Sequence, residues 1–309
     1  MNYITPQHKY YTLNHHLKTR FKRKVFKVSL NGNFTCPNRD GTISHSGCIF
    51  CSEKGSGDFA GDVNKSLLDQ FNDVRTKIHK KWPKAAYIAY FQANTNTYAP
   101  LGKLKILFEK AISLDKDIVA LSIATRPDSI SDAVIAYLSK LNKKIPVWIE
   151  LGLQTIHQKT ANFINRGYEL NVFNETVKKL RQANLEVVVH IINGLPNETK
   201  EMMIETVKYL NEFDIQGIKI HSLYIQENTI LGNIYQAKPF KILSLDEYVD
   251  IVCEQLAYLK PNIVVHRING DAPREQFIAP KWSLKKLVAM NEIDKLMKKR
   301  DYIQGCKLN

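Results

Sequence analysis

Three of the five cysteines fall within 16 residues, in Cys36-Pro-Asn-Arg-Asp-Gly-Thr-Ile-Ser-His-Ser-Gly-Cys48-Ile-Phe-Cys51. Eleven residues separate the first two and two separate the last two, and Gly41 and Gly47 let so long a loop turn without steric cost. An odd cysteine count in a reducing compartment argues for metal or redox chemistry over structural disulfides. Three convergent thiolates suit a [4Fe–4S] cluster. Four cysteines are its usual complement, so three leave one iron open to a small molecule, as in an open catalytic metal site. The competing reading is a Cys₃His zinc site completed by His45 of the same loop, although the loop carries one C-x-x-C pair only. Cys253 falls on the apolar face of a helical stretch and reads as core, while Cys306 lies in a polar tail and reads as a free thiol.

The elements that must position this loop are strands and helices in alternation. Apolar, β-rich runs at Val25–Asn31, Ala86–Gln92, Ile118–Ala124, Pro146–Leu153, Glu186–Asn193, Gly217–Ile225 and Ile263–Ile268 alternate with helical patterns near 65–81, 101–114, 130–142, 171–184, 199–212 and 244–259. Several runs are nearly continuous in Val, Ile and Leu, as parallel strands buried on both faces require. The expected fold is α/β, with right-handed crossovers around parallel strands that form a partial or near-closed (β/α) barrel. A basic segment (1–24) precedes the barrel (25–272), and a helical extension (273–309) follows it.

In such folds the chemistry sits at the strands' C-terminal ends. The cysteine loop follows the first strand directly. Gln92 ends the second, Arg126 follows the third, and Asn193-Gly194-Leu195-Pro196 ends the fifth, where the glycine would permit close approach of backbone to a ligand or simply make the turn. Glu150 is a carboxylate within the apolar run Val147-Trp148-Ile149-Glu150-Leu151. Left unpaired it would cost several kcal/mol, roughly, so it needs a partner: a cofactor in the mouth, or Arg126 or Lys219 on neighbouring strands. Arg126, with its planar fork, is a candidate for a carboxylate, a phosphate or a salt bridge. His190 and His221 alternate with apolar neighbours and serve equally as interior or catalytic histidines. Tyr98, in a polar turn, is placed to line a substrate path.

The 309 residues are 44% apolar and 24% charged, which excludes a mainly disordered chain and a disulfide-dense mini-protein. No stretch approaches the roughly 18–20 apolar residues of a membrane-spanning helix, and the polar N-terminus lacks a signal peptide's apolar segment, so a cytoplasmic protein is expected. Forty-four Lys and Arg against 30 Asp and Glu give a net charge of +14, a field that favours polyanions. The cluster Lys18, Arg20, Lys22, Arg23, Lys24 and Lys27 is the densest, and Arg20, Lys22, Arg23 and Lys24 are the first choices for phosphate contacts.

The three-cysteine loop after the first strand, Phe50 before the last cysteine and the α/β repeat resemble the radical S-adenosylmethionine (radical SAM) superfamily. The 11-residue gap is similar to that of its YhcC/YtqA (MnmL-type) group, relatives of the radical SAM part of the Elongator catalytic subunit. Asn-Thr-Tyr-Ala-Pro at 96–100, Ala-Thr-Arg-Pro-Asp at 124–128, Glu-Leu-Gly-Leu-Gln-Thr at 150–155, His-Ile-Ile-Asn-Gly-Leu-Pro at 190–196 and Lys-Ile-His-Ser-Leu at 219–223 look like that group's motifs. The resemblance implies that Cys36, Cys48 and Cys51 bind a [4Fe–4S] cluster. Its open iron binds S-adenosylmethionine, whose reductive cleavage yields a 5′-deoxyadenosyl radical. Glu150, Gln92, Arg126, Asn193 and Gly194 are then expected around the S-adenosylmethionine, with Tyr-Phe-Gln-Ala replacing the superfamily's common Gly-Gly-Glu type of motif at Gln92. The implied substrate is the wobble-uridine side chain of tRNA, through remodelling of a carboxymethylaminomethyl group, with an electron donor such as a flavodoxin or ferredoxin. No length is expected for Elongator's acetyltransferase part, hence no acyl transfer. The rival readings are a radical SAM enzyme for a small molecule and a non-catalytic, zinc-stabilised nucleic-acid-binding protein.

Overall fold

The computed structural model describes residues 3–308. Its strands are β1 (Val25–Leu30), β2 (Ala86–Phe91), β3 (Ile118–Thr125), β4 (Val147–Gln154), β5 (Glu186–Asn193), β6 (Gly217–Ser222), β7 (Ile225–Gln226), β8 (Val264–Arg267) and β9 (Phe277–Ala279). Seven of them form one parallel sheet in the order β1-β2-β3-β4-β5-β6-β8, and β7 pairs antiparallel with β9. The strands add in chain order and the two edges do not pair, so the sheet is a partial barrel. The helices are α1 (Leu13–Phe21), α2 (Leu67–Lys81), α3 (Leu101–Ile112), α4 (Asp132–Asn142), α5 (Gln158–Phe163), α6 (Leu170–Gln182), α7 (Lys200–Leu210), α8 (Ile230–Ala237), α9 (Leu245–Tyr258) and α10 (Lys286–Lys299).

Alternation along each strand divides the sheet into two faces. The face toward the helices is aliphatic and aromatic: Val28 and Leu30, Tyr87 and Phe91, Leu121 and Ile123, Ile149 and Leu151, Val187, Val189 and Ile191, Ile218 and Ile220 belong to one core with Phe108, Leu138, Phe173 and Val252. The inner face carries the exceptions, among them Lys27, Tyr90, Ser122, Glu150, His190 and Lys219. The outer face is thus apolar along its length, while the inner face is apolar near the strands' N-terminal ends and polar toward their C-terminal ends.

The N-terminal segment mends the open edge. Val265 of β8 donates its N–H to the Tyr11 carbonyl at 2.8 Å, and Thr12 bridges to Val265 in parallel sense. Thr12 caps α1, accepting from the His15 N–H. Leu17 of α1 then packs against Val25, Ala86, Ile88, Ala120 and Trp148 at the strands' N-terminal ends. Helix α10 packs on α9, and the buried Gln304 amide ties Tyr11, Lys260 and Ile263 together with three hydrogen bonds of 2.8 Å.

Two features differ from the sequence expectation. The run 217–225 is two strands: the chain leaves the sheet after Ser222, where the Leu223 N–H bonds to the Asn193 carbonyl at 2.8 Å, and β7 joins β9. Helices α1, α5 and α8 were hidden by their composition or by lengths of six to nine residues, too short for a clear apolar period. Among the described residues, no helix is long and apolar enough to cross a membrane.

Candidate active site

The loop between β1 and α2 lies over the strands' C-terminal ends, and Gly41 and Gly47 turn it at φ +94° and +71°. Beneath it is a cavity of about 230 Å³ whose walls include Cys36, Cys48 and Cys51. All three are free and half-buried. Asn38 Nδ2 stands 3.6 Å from Cys48 Sγ and donates to the Asn165 carbonyl at 2.6 Å, while Ser56 Oγ lies 3.4 Å from Cys51 Sγ. A hydrogen bond between Cys48 and Cys51 pushes the Cys48 thiol up, with burial adding to it, and lowers that of Cys51 to about 7. His45 is exposed and lies against Gly41, outside this cavity. Among the described residues, no three His, Cys, Asp or Glu side chains stand close enough to hold one metal ion. A zinc ion needs all its donors about 2.0–2.3 Å from one centre. An iron–sulfur cube takes each thiolate at a different iron, so its ligands stand wider apart. Three sulfurs around one cavity, with His45 outside it, fit the cluster and not the Cys₃His zinc site completed by His45.

The cavity floor is a charge network. Glu150 is fully buried and accepts hydrogen bonds from Lys27 and Lys219, from Ser122 Oγ at 2.6 Å and from His190 Nε2 at 2.8 Å. Four donors saturate a carboxylate's acceptor sites. Burial would raise the Glu150 carboxyl, but Lys219, Lys27 and His190 hold it well below the usual range. The second ammonium has no carboxylate of its own: burial, with Lys27 and Arg267 close by, outweighs Glu150 and lowers Lys219 to about 7. Burial and then Lys219 bring His190 down to about 4, so its imidazole is neutral and donates through Nε2. Tyr90 completes the floor: its hydroxyl is 3.1 Å from Lys219 Nζ, and each ammonium lies 4.6 Å from its ring centroid.

The other expected site residues divide. Gln92 lines the cavity, accepting from Ser29 Oγ at 3.2 Å and donating to the Ser56 carbonyl at 3.1 Å. Arg126 also lines it but does not pair with Glu150. Its fork is held by Asp128, at 2.9 and 2.6 Å, and it donates to the Arg166 carbonyl at 2.8 Å. Asn193 and Gly194 are corrected, because neither borders the cavity. Asn193 shares the outward face with Val189 and Ile191, and its amide pairs reciprocally with that of Gln255 at 2.8 and 2.9 Å. Gly194 makes a turn at φ +89°, where a Cβ would meet the Leu243 side chain at 3.1 Å. Tyr98 is likewise outside the cavity, bonded to Thr42 at 2.8 Å. Arg20, Lys22, Arg23 and Lys24 lie at the strands' N-terminal ends, opposite the cysteines. Arg20 pairs there with Glu186, Arg23 with Asp117 and Lys24 with Asn14.

Residues 36–210 match the family described as the radical SAM superfamily, and residues 215–299 match the radical SAM C-terminal domain. The chain belongs to the radical SAM superfamily. It is 48% identical to protein YtqA of Bacillus subtilis over 303 residues, 98% of this chain and 94% of that one. It is 27% identical over 158 residues to the tRNA uridine(34) acetyltransferase of Methanocaldococcus jannaschii, 50% of this chain and 29% of that protein. Among solved structures, the archaeal Methanocaldococcus infernus Elp3 shares the fold, with a TM-score of 0.69 and 18% identity over 91% of this chain. The present chain spans 64% of the length of that structure.

Radical SAM proteins use a [4Fe–4S] cluster and S-adenosylmethionine, and Cys36, Cys48 and Cys51 are the residues here that would hold the cluster. Sequence reasoning missed Lys27, which it counted within a surface run; Gln154, part of the 150–155 motif, lines the cavity from a left-handed backbone position at φ +64°. Lys27 carried a readable signal, a lone charge on the inner parity of an apolar strand. The backbone conformation of Gln154 accompanies a register shift between β4 and β5, which the sequence does not show.

Proposed function

We propose that this radical SAM enzyme acts on tRNA, at the side chain of the wobble uridine. The observation that carries the reading is the cavity itself: three thiols over a deep floor on which two lysines share one carboxylate, in a chain of net charge +14. Such a floor is cationic and suits an anionic or carbonyl-bearing group. The match of half the chain to a tRNA uridine(34) acetyltransferase supports the choice of RNA, and a basic protein gains affinity for RNA through phosphate contacts.

When bound, the cluster and S-adenosylmethionine supply reductive cleavage and hydrogen-atom abstraction. The chain's own residues bind, orient and exclude water. Cys36, Cys48 and Cys51 fix the cluster at the mouth. Glu150, with no acceptor site left, anchors Lys27, Lys219 and His190. Lys219 Nζ, beside the Tyr90 hydroxyl, holds a proton that it can release or recover near neutral pH. Remodelling of the carboxymethylaminomethyl group, with electrons from a flavodoxin- or ferredoxin-type donor, completes the proposal.

The test compares nucleosides from tRNA of cells with and without the gene by liquid chromatography, and incubates the anaerobic enzyme with that tRNA. Loss of one modified wobble uridine in the mutant, with 5′-deoxyadenosine release stimulated by tRNA, is expected. Identical nucleoside profiles, with release stimulated by a small molecule instead, would overturn the RNA reading.

A further inference from the structure

A second cavity, of about 210 Å³, lies at the opposite end of the barrel beside α1. Its walls include Tyr3, Tyr11, His16, Trp148 and His266, with Glu186 among the polar groups. The rings approach one another as aromatic walls do: Tyr3 and Tyr11 have centroids 4.9 Å apart, and Trp148 and His266 5.5 Å apart at 65°. Burial lowers the pKa of both His16, to about 4, and His266, so both walls are uncharged. Trp148 is 1% exposed and its indole N–H has no partner, nor has His266 Nδ1. Each such buried group costs roughly 1–3 kcal/mol until it is bonded. Outside these neutral walls the surroundings are basic. Residues 1–24 hold six Lys and Arg (Lys9, Lys18, Arg20, Lys22, Arg23, Lys24) and no Asp or Glu. Arg20 stands beside the cavity, paired with Glu186 at 2.7 Å.

We propose that this aromatic cavity is a nucleotide site, in which a nucleobase lies among Tyr3, Tyr11 and Trp148 while its phosphate meets the basic N-terminal segment. Aromatic walls hold any base by stacking, and Lys and Arg hold the phosphate. Trp148 and His266 both border the cavity, and the indole N–H of the one and Nδ1 of the other have no partner among the described residues. The nucleotide has two possible sources, a free mononucleotide and an unpaired residue of an RNA strand. The site is separated from the cysteine cavity by Trp148 and the Glu150 network, since Lys27 Nζ, bonded to Glu150, stands 5.4 Å from the Trp148 ring.

The test measures binding of UMP, of a single-stranded octauridylate and of inorganic phosphate to the cluster-loaded protein by equilibrium dialysis, with and without saturating S-adenosylmethionine. Wild type is compared with Tyr3→Ala, which removes a half-buried wall, and with Trp148→Phe, which keeps a ring but removes the N–H. Each variant should bind the base-bearing probes about tenfold more weakly with phosphate binding unchanged, a loss of the size of one stacking or hydrogen-bonding contact. S-adenosylmethionine should not displace the probe. Retention of UMP assigns a free nucleotide, and retention of the octamer alone assigns an RNA residue. Binding equal in wild type and both variants, or abolished by S-adenosylmethionine, would overturn the second site. Neither result bears on the nucleoside comparison that tests the wobble-uridine reading.

Discussion

The two ends of the barrel are made by the same seven strands and have opposite characters. At the C-terminal ends the loops are long and their Asn, Thr and Cys residues ring an open cavity. At the N-terminal ends the turns are short, and Leu17, Ile88, Ala120 and Trp148 make a plug. The densest run of positive charge lies at the plugged end, where Arg20 pairs with Glu186 and Arg23 with Asp117, while at the open end Arg126 pairs with Asp128, Arg267 with Asp271, and Lys27 and Lys219 share Glu150. Net charge thus reports a partner, and strand polarity reports where chemistry occurs. In this molecule the two point in opposite directions.

The largest effect should come from the mouth. Cys36→Ala, Cys48→Ala and Cys51→Ala should each reduce 5′-deoxyadenosine release to background, and full iron content in all three would break the assignment of the cluster to this end. Next is the floor. Glu150→Gln leaves two ammonium groups facing each other and should cost about 3–5 kcal/mol in urea unfolding, the size of a broken buried ion pair. Replacement of Lys219 sharpens the point through pH. Unfolded, Lys219 keeps its proton until about pH 10.4, and folded it loses it near 7, so the unfolded chain binds more protons between those values. Wild type should therefore gain roughly 2–4 kcal/mol relative to Lys219→Met from pH 6.5 to 9.5. A constant difference would mean that this ammonium stays charged in both states.

At the plugged end the expected effects are smaller. Changing Arg20, Lys22, Arg23 and Lys24 together to Gln should flatten the salt dependence of tRNA binding by a slope of about two rather than four, because Arg20 and Arg23 already have carboxylate partners. An unchanged slope would place the phosphate contacts at the mouth. Smallest is Cys253→Ala. The thiol is fully buried and its Sγ lies 3.6 Å from the Ile293 carbonyl, so about 1 kcal/mol should be lost while the iron content stays at the wild-type level.

The sheet was legible because its outer face is written in continuous Val, Ile and Leu. Glu150 was legible for the converse reason, since a lone carboxylate in such a run must have partners. Lys219 was named as one of them. Lys27 obeys the same rule but was masked by the basic run before it. Asn193 shows what parity alone could have settled: it alternates in step with Val187, Val189 and Ile191 and must face outward with them. Two things were beyond the sequence. One is which cation meets Glu150, because that depends on how far the sheet curls and brings Lys27 and Lys219 across to β4. The other is the course of the first 24 residues, whose polar helix finds its place only once two unpaired strand edges exist to receive it.

That helix has a kinetic consequence. By packing Leu17 on the strands' N-terminal ends, α1 covers the interior there, while the cysteine cavity lies at the other end. If the proposed RNA substrate covers the mouth, S-adenosylmethionine has to enter before it, and its fragments have to leave after it. On that reading the order of binding and release is set by a nine-residue helix at the far end from the cysteines.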